Sequence, residues 1–149
     1  MKAVIQRVQN SEVKIDGKVV GSCNSGFMIL LCVVDGDAKG DADKLIKKVP
    51  NLRIFEDENG KMNRSLLDVD GEMLVISQFT LAADCKHGRR PSFIGAAPPS
   101  TAIPLYEYFC HAMREAGVKR VETGEFGADM KVSLINDGPV TIILDSKEL

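Results

Sequence analysis

Eight consecutive apolar residues, "FMILLCVV" at 27–34, constrain this chain more than any other stretch. A run this apolar belongs inside a protein, yet it is far too short for the ~20 residues a helix needs to cross a bilayer. It reads as a buried strand. Around it the first part of the chain alternates like a sheet. Val4, Val8, Val13, Ile15, Val19 and Val20 flank an Asp16-Gly17 step, the residue pair that tight antiparallel hairpins favour.

From Asp41 the period changes. Ala42, Leu45, Ile46 and Val49 fall at i, i+3, i+4 and i+7, which predicts a short amphipathic helix capped by an aspartate and stopped by Pro50. "LRIFEDENGKM" predicts a strand running into an Asn59-Gly60 turn, and "EMLVISQFTLA" at 72–82 predicts one long strand. A loop rich in Gly, Pro and Arg follows from Asp84 to about Ser100. Leu105, Tyr108, Phe109, Ala112, Met113 and Ala116 then form the apolar stripe of a second helix, ended by Gly117. Strands near 119–123, 129–136 and 140–145 complete the chain. With no internal repeat or linker, the pattern predicts one α/β domain over residues 1–149: strand-rich mixed or antiparallel sheets in layers, with two main helices. A chain of 149 residues, 44% of them hydrophobic, buries roughly 70% of the surface its unfolded form exposes and needs no staple.

Cys23, Cys32, Cys85 and Cys110 show no CxxC spacing, which points to a reducing compartment rather than disulfides or zinc. "MKAVIQRVQN" lacks the apolar centre of a signal peptide, so a soluble, cytoplasmic protein without membrane partners is expected. A net charge of -2 argues against a general nucleic-acid coat protein. It leaves room for one local basic patch, "KHGRR" at 86–90.

With only two histidines, mechanisms are restricted. His111 falls off the stripe of the second helix and His87 sits in the basic loop, so a Ser-His-Asp triad has little to build on. No HExxH, paired-histidine or clustered-cysteine spacing supplies a metal, and neither metal nor cofactor is expected. "SQFTLAAD" at 77–84 is the stretch with chemical content, because Ser77, Gln78 and Thr80 arrive where an apolar strand should be ending. Ser77 and Phe79 share one face of a regular strand, and Gln78 and Thr80 the other, so both hydroxyls meet one pocket only if the strand breaks there. A break would also free the Phe79 and Thr80 amides to hold a developing oxyanion. A strand end tied down by local Ser and Thr hydrogen bonds accounts for the same residues, and both readings stand at this level. Lys86, Arg89 and Arg90 are equally open between phosphate neutralisation and an ordinary solvated loop. Gly138-Pro139, between two apolar runs, is at its simplest a turn.

Seven stretches taken in order, "MKAVIQRV", "NLRIFEDENGKMN", "SQFTL", "GRRPSF", "GAAPP", "FGADM" and "NDGPVT", resemble the D-aminoacyl-tRNA deacylases. These are dimeric editing hydrolases that cleave the ester between a D-amino acid and the 3' end of tRNA. The resemblance covers residues 1 to about 146 and rests on "SQFTL" and "NDGPVT" together. It implies a homodimer whose partner is the acceptor end of aminoacyl-tRNA, with no DNA partner. It implies that Gly138-Pro139 is cis and reaches into the partner subunit's pocket as a chiral selector, braced by Arg7. L side chains are then rejected sterically, while achiral glycine, mischarged on tRNA(Ala), enters. Ser77, Gln78, Phe79 and Thr80 would form the reaction pocket, with the Phe79 amide as oxyanion donor and the tRNA's own 2'-OH assisting water. Phe126 and Met130 would hold the terminal adenosine, and Lys86, Arg89 and Arg90 would meet tRNA phosphates. "LAADCKH" matches less firmly, and Cys85 belongs to no pattern.

Three alternatives remain at the level of sequence. One is a relative with a trans Gly-Pro that admits L-alanine, against which "SQFTL" argues. Another is the editing domain of a threonyl-tRNA synthetase. The third is a non-catalytic tRNA- or nucleotide-binding module.

Overall fold

A computed structural model describes residues 1–149. The first hairpin joins β1 (Lys2–Ile15) to β2 (Lys18–Cys23). Asp16 and Gly17 both sit at positive φ, 49° and 78°, the twist that suits a two-residue connection between antiparallel strands. The apolar run forms β3 (Gly26–Cys32), paired antiparallel to β1 on one edge and parallel to β6 (Glu72–Ser77) on the other. Being central, it is covered on both faces, which is why polar residues do not alternate into it.

Strand order is β2-β1-β3-β6-β7, with β7 at Val121–Thr123 and a long β8 at Lys131–Asp145 lying along β1. The sheet nearly closes on itself. The Ser22 N–H donates to the Glu122 carboxylate at 3.1 Å, and a Cβ on Gly21 would lie 2.4 Å from the Thr123 carbonyl oxygen, so only glycine fits that seam. On one face Ala3, Ile5, Phe27, Ile29 and Val75 pack under α1 (Lys39–Lys48) and α2 (Pro99–Glu115). On the other, Val8, Val13, Met28, Leu74 and Ile76 pack under Met130, Val132 and Leu134. A separate small hairpin, β4 (Phe55–Glu56) and β5 (Met62–Arg64), follows α1. No helix is long and apolar enough to cross a membrane.

Several expected boundaries move, for tertiary reasons. The strand expected over 72–82 stops at Ser77, because β7 leaves its edge opposite Val75 and β3 opposite Ser77, so nothing continues the ladder. Phe79–Ala82 coil into a 3-10 turn instead. The strands expected at 129–136 and 140–145 are one element, since both halves pair with the same β1. Four residues, Asp137 to Val140, bulge out opposite the single residue Arg7: Gln6 pairs with Thr141 and Val8 with Asn136. A proline inside a strand is tolerated where the ladder is interrupted in this way.

The first helix starts two residues before Asp41, whose carboxylate accepts from the Ala38 N–H at 3.0 Å, and Pro50 lies in a 3-10 turn after it. The second helix buries Ala102, Tyr106, Phe109, Cys110 and Met113, a stripe rotated from the expected one, leaving Tyr108 and Ala112 half-buried and Ala116 exposed. A buried ionic cluster ties the chain ends to α1. The Met1 ammonium lies 2.7 Å from Asp37, and Asp41 accepts from the Ser146 hydroxyl at 2.8 Å and the Lys147 ammonium at 2.9 Å.

Candidate active site

The last ladder bond of β6 is donated by the Gln78 N–H to the Leu31 carbonyl at 2.8 Å. At Gln78 the backbone leaves the sheet (φ -143°, ψ 80°) and enters the 3-10 turn. As the first two residues of that turn, Phe79 and Thr80 have no acceptor within it for their N–H groups. The turn is fastened on both sides. Gln78 Nε2 donates to Thr80 Oγ1 at 2.5 Å, and the Cys32 thiol, at the end of β3, donates to the Phe79 carbonyl at 3.6 Å. Burial pushes that thiol's pKa up, which keeps it a protonated donor. The Phe79 ring is thrown outward, 54% exposed, and meets Phe93 edge-on at 5.3 Å.

Beside the break opens a cavity of about 240 Å³. Ser77, Gln78 and Phe79 form one wall, and Phe126 and Met130 the opposite one. Two features hold the far wall. Phe126 packs edge-on against Tyr106 at 6.3 Å, and the Tyr106 hydroxyl donates to the Val75 carbonyl at 2.7 Å. Met130 reaches inward because residue 124 is glycine: a Cβ there would lie 2.4 Å from the Met130 sulfur. Thr80 is not a wall residue and addresses the cavity through Gln78.

Gly138 and Pro139 lie elsewhere. Their peptide bond is cis, both residues are exposed, and neither lines the cavity of its own subunit. The register explains the separation: β3 presents Leu31 to Ser77 but Phe27 to Arg7, four residues apart, about 13 Å along the strand. Arg7 is buried beneath the bulge. Its Nη1 donates to the Ile54 carbonyl at 2.6 Å and its Nε to the Asp137 carbonyl at 3.1 Å, while its guanidinium stands 6.0 Å over the Phe55 ring. Gly138, at φ 128°, admits no Cβ without a 2.8 Å approach to the Val140 side chain.

Lys86, Arg89 and Arg90 are exposed in a loop closed by a two-way backbone pair between Asp84 and Ser92, at 2.8 and 2.9 Å. That closure brings the loop beside the Phe79–Phe93 contact. His87 is exposed in the same loop. His111 sits on the outer face of α2 beside Glu115. No group of three His, Cys, Asp or Glu side chains is arranged to hold a metal ion. Cys32 is the feature sequence reasoning missed. Its contact depends on the parallel pairing of β3 and β6, and only a long-range signal could have shown it.

A strand break with free amides, opening on a cavity with Ser77 and Gln78 on one wall and Phe126 on the other, is an arrangement that can hold an oxyanion, set in a single strand-rich α/β domain. Comparison with known proteins makes this particular. The family described as D-Tyr-tRNA(Tyr) deacylase matches residues 4–145. A D-aminoacyl-tRNA deacylase of Thermosipho africanus (strain TCF52B) is 57% identical over 149 residues, covering 100% of this chain and 99% of that one. One of Geotalea uraniireducens (strain Rf4) is 60% identical over 146 residues, covering 98% and 94%. Among solved structures, one named c-Myc DNA Unwinding Element Binding Protein superposes with a TM-score of 0.91 at 37% identity, covering 97% of this chain and 98% of that one. The chain belongs to the D-Tyr-tRNA(Tyr) deacylase family.

Proposed function

We propose that this protein hydrolyses the ester of D-aminoacyl-tRNA, releasing the free D-amino acid and tRNA. The observation that carries the reading is the break after Ser77, where the Phe79 amide is free beside the 240 Å³ cavity. The ester carbonyl sits against that break, and the Phe79 N–H stabilises the oxyanion as water attacks. Thr80, held by Gln78, and Ser77 orient the substrate. No histidine or other base stands against Thr80 to make it a nucleophile, so the neighbouring 2'-OH of the terminal ribose assists the water. Phe126 and Met130 embrace the terminal adenosine, and Lys86, Arg89 and Arg90 take backbone phosphates. DNA, lacking the 2'-OH, is not a substrate, and the setting is the cytoplasm.

Chirality is selected by a second copy of the chain. The exposed Gly138-Pro139 tip of the bulge lines no cavity of its own subunit, and the register sets it about 13 Å along β3 from the level of Ser77. In a two-fold dimer each bulge enters the other subunit's cavity. Its backbone occupies the volume an L side chain would need, while a D side chain points to solvent and the hydrogen of glycine, including glycine on tRNA(Ala), passes. Arg7 fixes the bulge.

Matched D-tyrosyl- and L-tyrosyl-tRNA, incubated with the purified protein and a chelator, test this directly. Loss of the D ester with the L ester spared is expected. If both esters survive while tRNA is bound, the protein is a binding module instead.

A further inference from the structure

A second cavity, of about 330 Å³, lies on the far side of Phe126, between α2 and residues 123–126. The Phe126 ring belongs to the walls of both cavities, so the two are neighbours separated by one aromatic side chain. Its floor is neutral. Tyr106 is engaged with the Val75 carbonyl, Thr123 is half-buried, and burial pushes the Cys110 thiol up to about 12. Its rim is charged: Glu107 and Arg114 from α2 and Glu125 from the segment after β7. Arg114 is steadied by one bond, Nη2 to the Val121 carbonyl at 3.1 Å, which leaves most of its five donors free. None of these three charged groups forms an ion pair with any other residue. Unpartnered charges of both signs around one cavity suit a ligand that carries an anion and hydrogen-bond donors together.

We propose that this second cavity holds the nucleotide preceding the terminal adenosine, a cytidylate, with its phosphate on Arg114 and its amino edge on Glu107 and Glu125. The inference rests on the reading that the terminal adenosine occupies the first cavity. All mature tRNAs end in the same CCA sequence, so the residue next to the terminal adenosine is cytidine whatever the amino acid. Carboxylates accept from the N4 amine of cytosine and oppose the O4 acceptor of a uracil. A guanidinium forks onto a phosphodiester. The acidic rim thus rejects a bare polyanion and admits one that presents an amine. It would give an enzyme indifferent to side chain a grip on the invariant end of its substrate.

The test compares two minimal esters, D-tyrosyl-adenosine and D-tyrosyl-cytidylyl-adenosine, by kcat/KM, with the unesterified dinucleotides CpA and UpA titrated against adenosine for binding. The dinucleotide ester should be better by about tenfold or more, and CpA should bind more tightly than UpA and adenosine. In Arg114→Gln and Glu107→Gln, each checked by melting for an intact fold, the dinucleotide-to-mononucleotide ratio should collapse towards one. Equal kcat/KM for the two esters, CpA binding no tighter than UpA and adenosine, or an unchanged ratio in both variants would overturn the subsite. If neither ester is cleaved, the hydrolase reading falls, and the dinucleotide titrations still decide this one.

Discussion

Arg7 Nε donates to the Asp137 carbonyl at 3.1 Å across 130 positions of sequence, joining the first strand to the bulge in the last. With the second bond to Ile54, one buried guanidinium holds three segments in register. Arg7→Ala leaves one buried carbonyl, that of Ile54, and one half-buried carbonyl, that of Asp137, without donors and should cost about 2–4 kcal/mol in denaturant unfolding. Arg7→Lys cannot reproduce the fork, so it should recover only part of that loss and should also weaken discrimination against L-tyrosyl-tRNA. Full stability in Arg7→Lys with unaltered discrimination would remove Arg7 from the selector.

The oxyanion assignment belongs to a backbone group, so the informative substitution removes an N–H rather than a side chain. Phe79→Pro does this at the first position of a 3-10 turn, where proline is tolerated. Turnover of D-tyrosyl-tRNA should fall by about 10²–10³-fold. Phe79→Ala, which keeps the amide, is the control and should lose far less. Equal losses in the two variants would mean that the ring matters and the amide does not.

Thr80 and the substrate's 2'-OH are rivals for one role. With the 2'-OH assisting water, Thr80→Ala loses one hydrogen bond to Gln78 and should slow turnover by no more than about tenfold. D-tyrosyl-tRNA ending in 2'-deoxyadenosine, with the ester on the 3' oxygen, should resist cleavage. A dead Thr80→Ala that still binds substrate, with the deoxy ester cleaved normally, would make the threonine the nucleophile.

Acid should unfold the protein through Asp41. Its bonds to the Lys147 ammonium, the Ala38 amide and the Ser146 hydroxyl hold its carboxyl well below the usual range. A depressed carboxylate contributes stability that is fully present above its unfolded pKa and is lost as pH falls below about 4. Melting temperatures from pH 7 to pH 2 should drop in the wild type. Asp41→Asn should start lower at pH 7 and fall less steeply. Parallel curves for the two proteins would contradict the assignment.

What was legible in the sequence was local. Asp16-Gly17 announces its hairpin because the two-residue turn needs positive φ at both positions. The run 27–34 announces a central strand because burial on both faces removes alternation. What stayed hidden depended on neighbours. Phe79, Thr80 and Leu81 are acceptable strand residues, and the chain breaks before them only because β3 and β7 have already ended. The two last strands could not be recognised as one element without knowing that β1 spans both. Motif resemblance, not periodicity, brought Ser77, Gln78, Phe79, Phe126 and Met130 forward as one site, and these five residues do share a cavity. Arg7 beneath the bulge was likewise a matter of resemblance, since an arginine among alternating apolar residues has no local reason to be buried.

Complementation between two inactive variants measures whether the bulge acts across the subunit boundary. Phe79→Pro lacks the oxyanion donor but keeps its bulge. Gly138→Val keeps its pocket, while its bulge is distorted by the 2.8 Å approach to Val140 and obstructs the partner. Each alone should be inactive on D-tyrosyl-tRNA. Co-refolded in equal amounts, half the dimers are mixed and each mixed dimer has one intact site, so roughly a quarter of wild-type activity should return. A mixture no more active than its two parents would place the bulge in its own subunit's site and contradict the account.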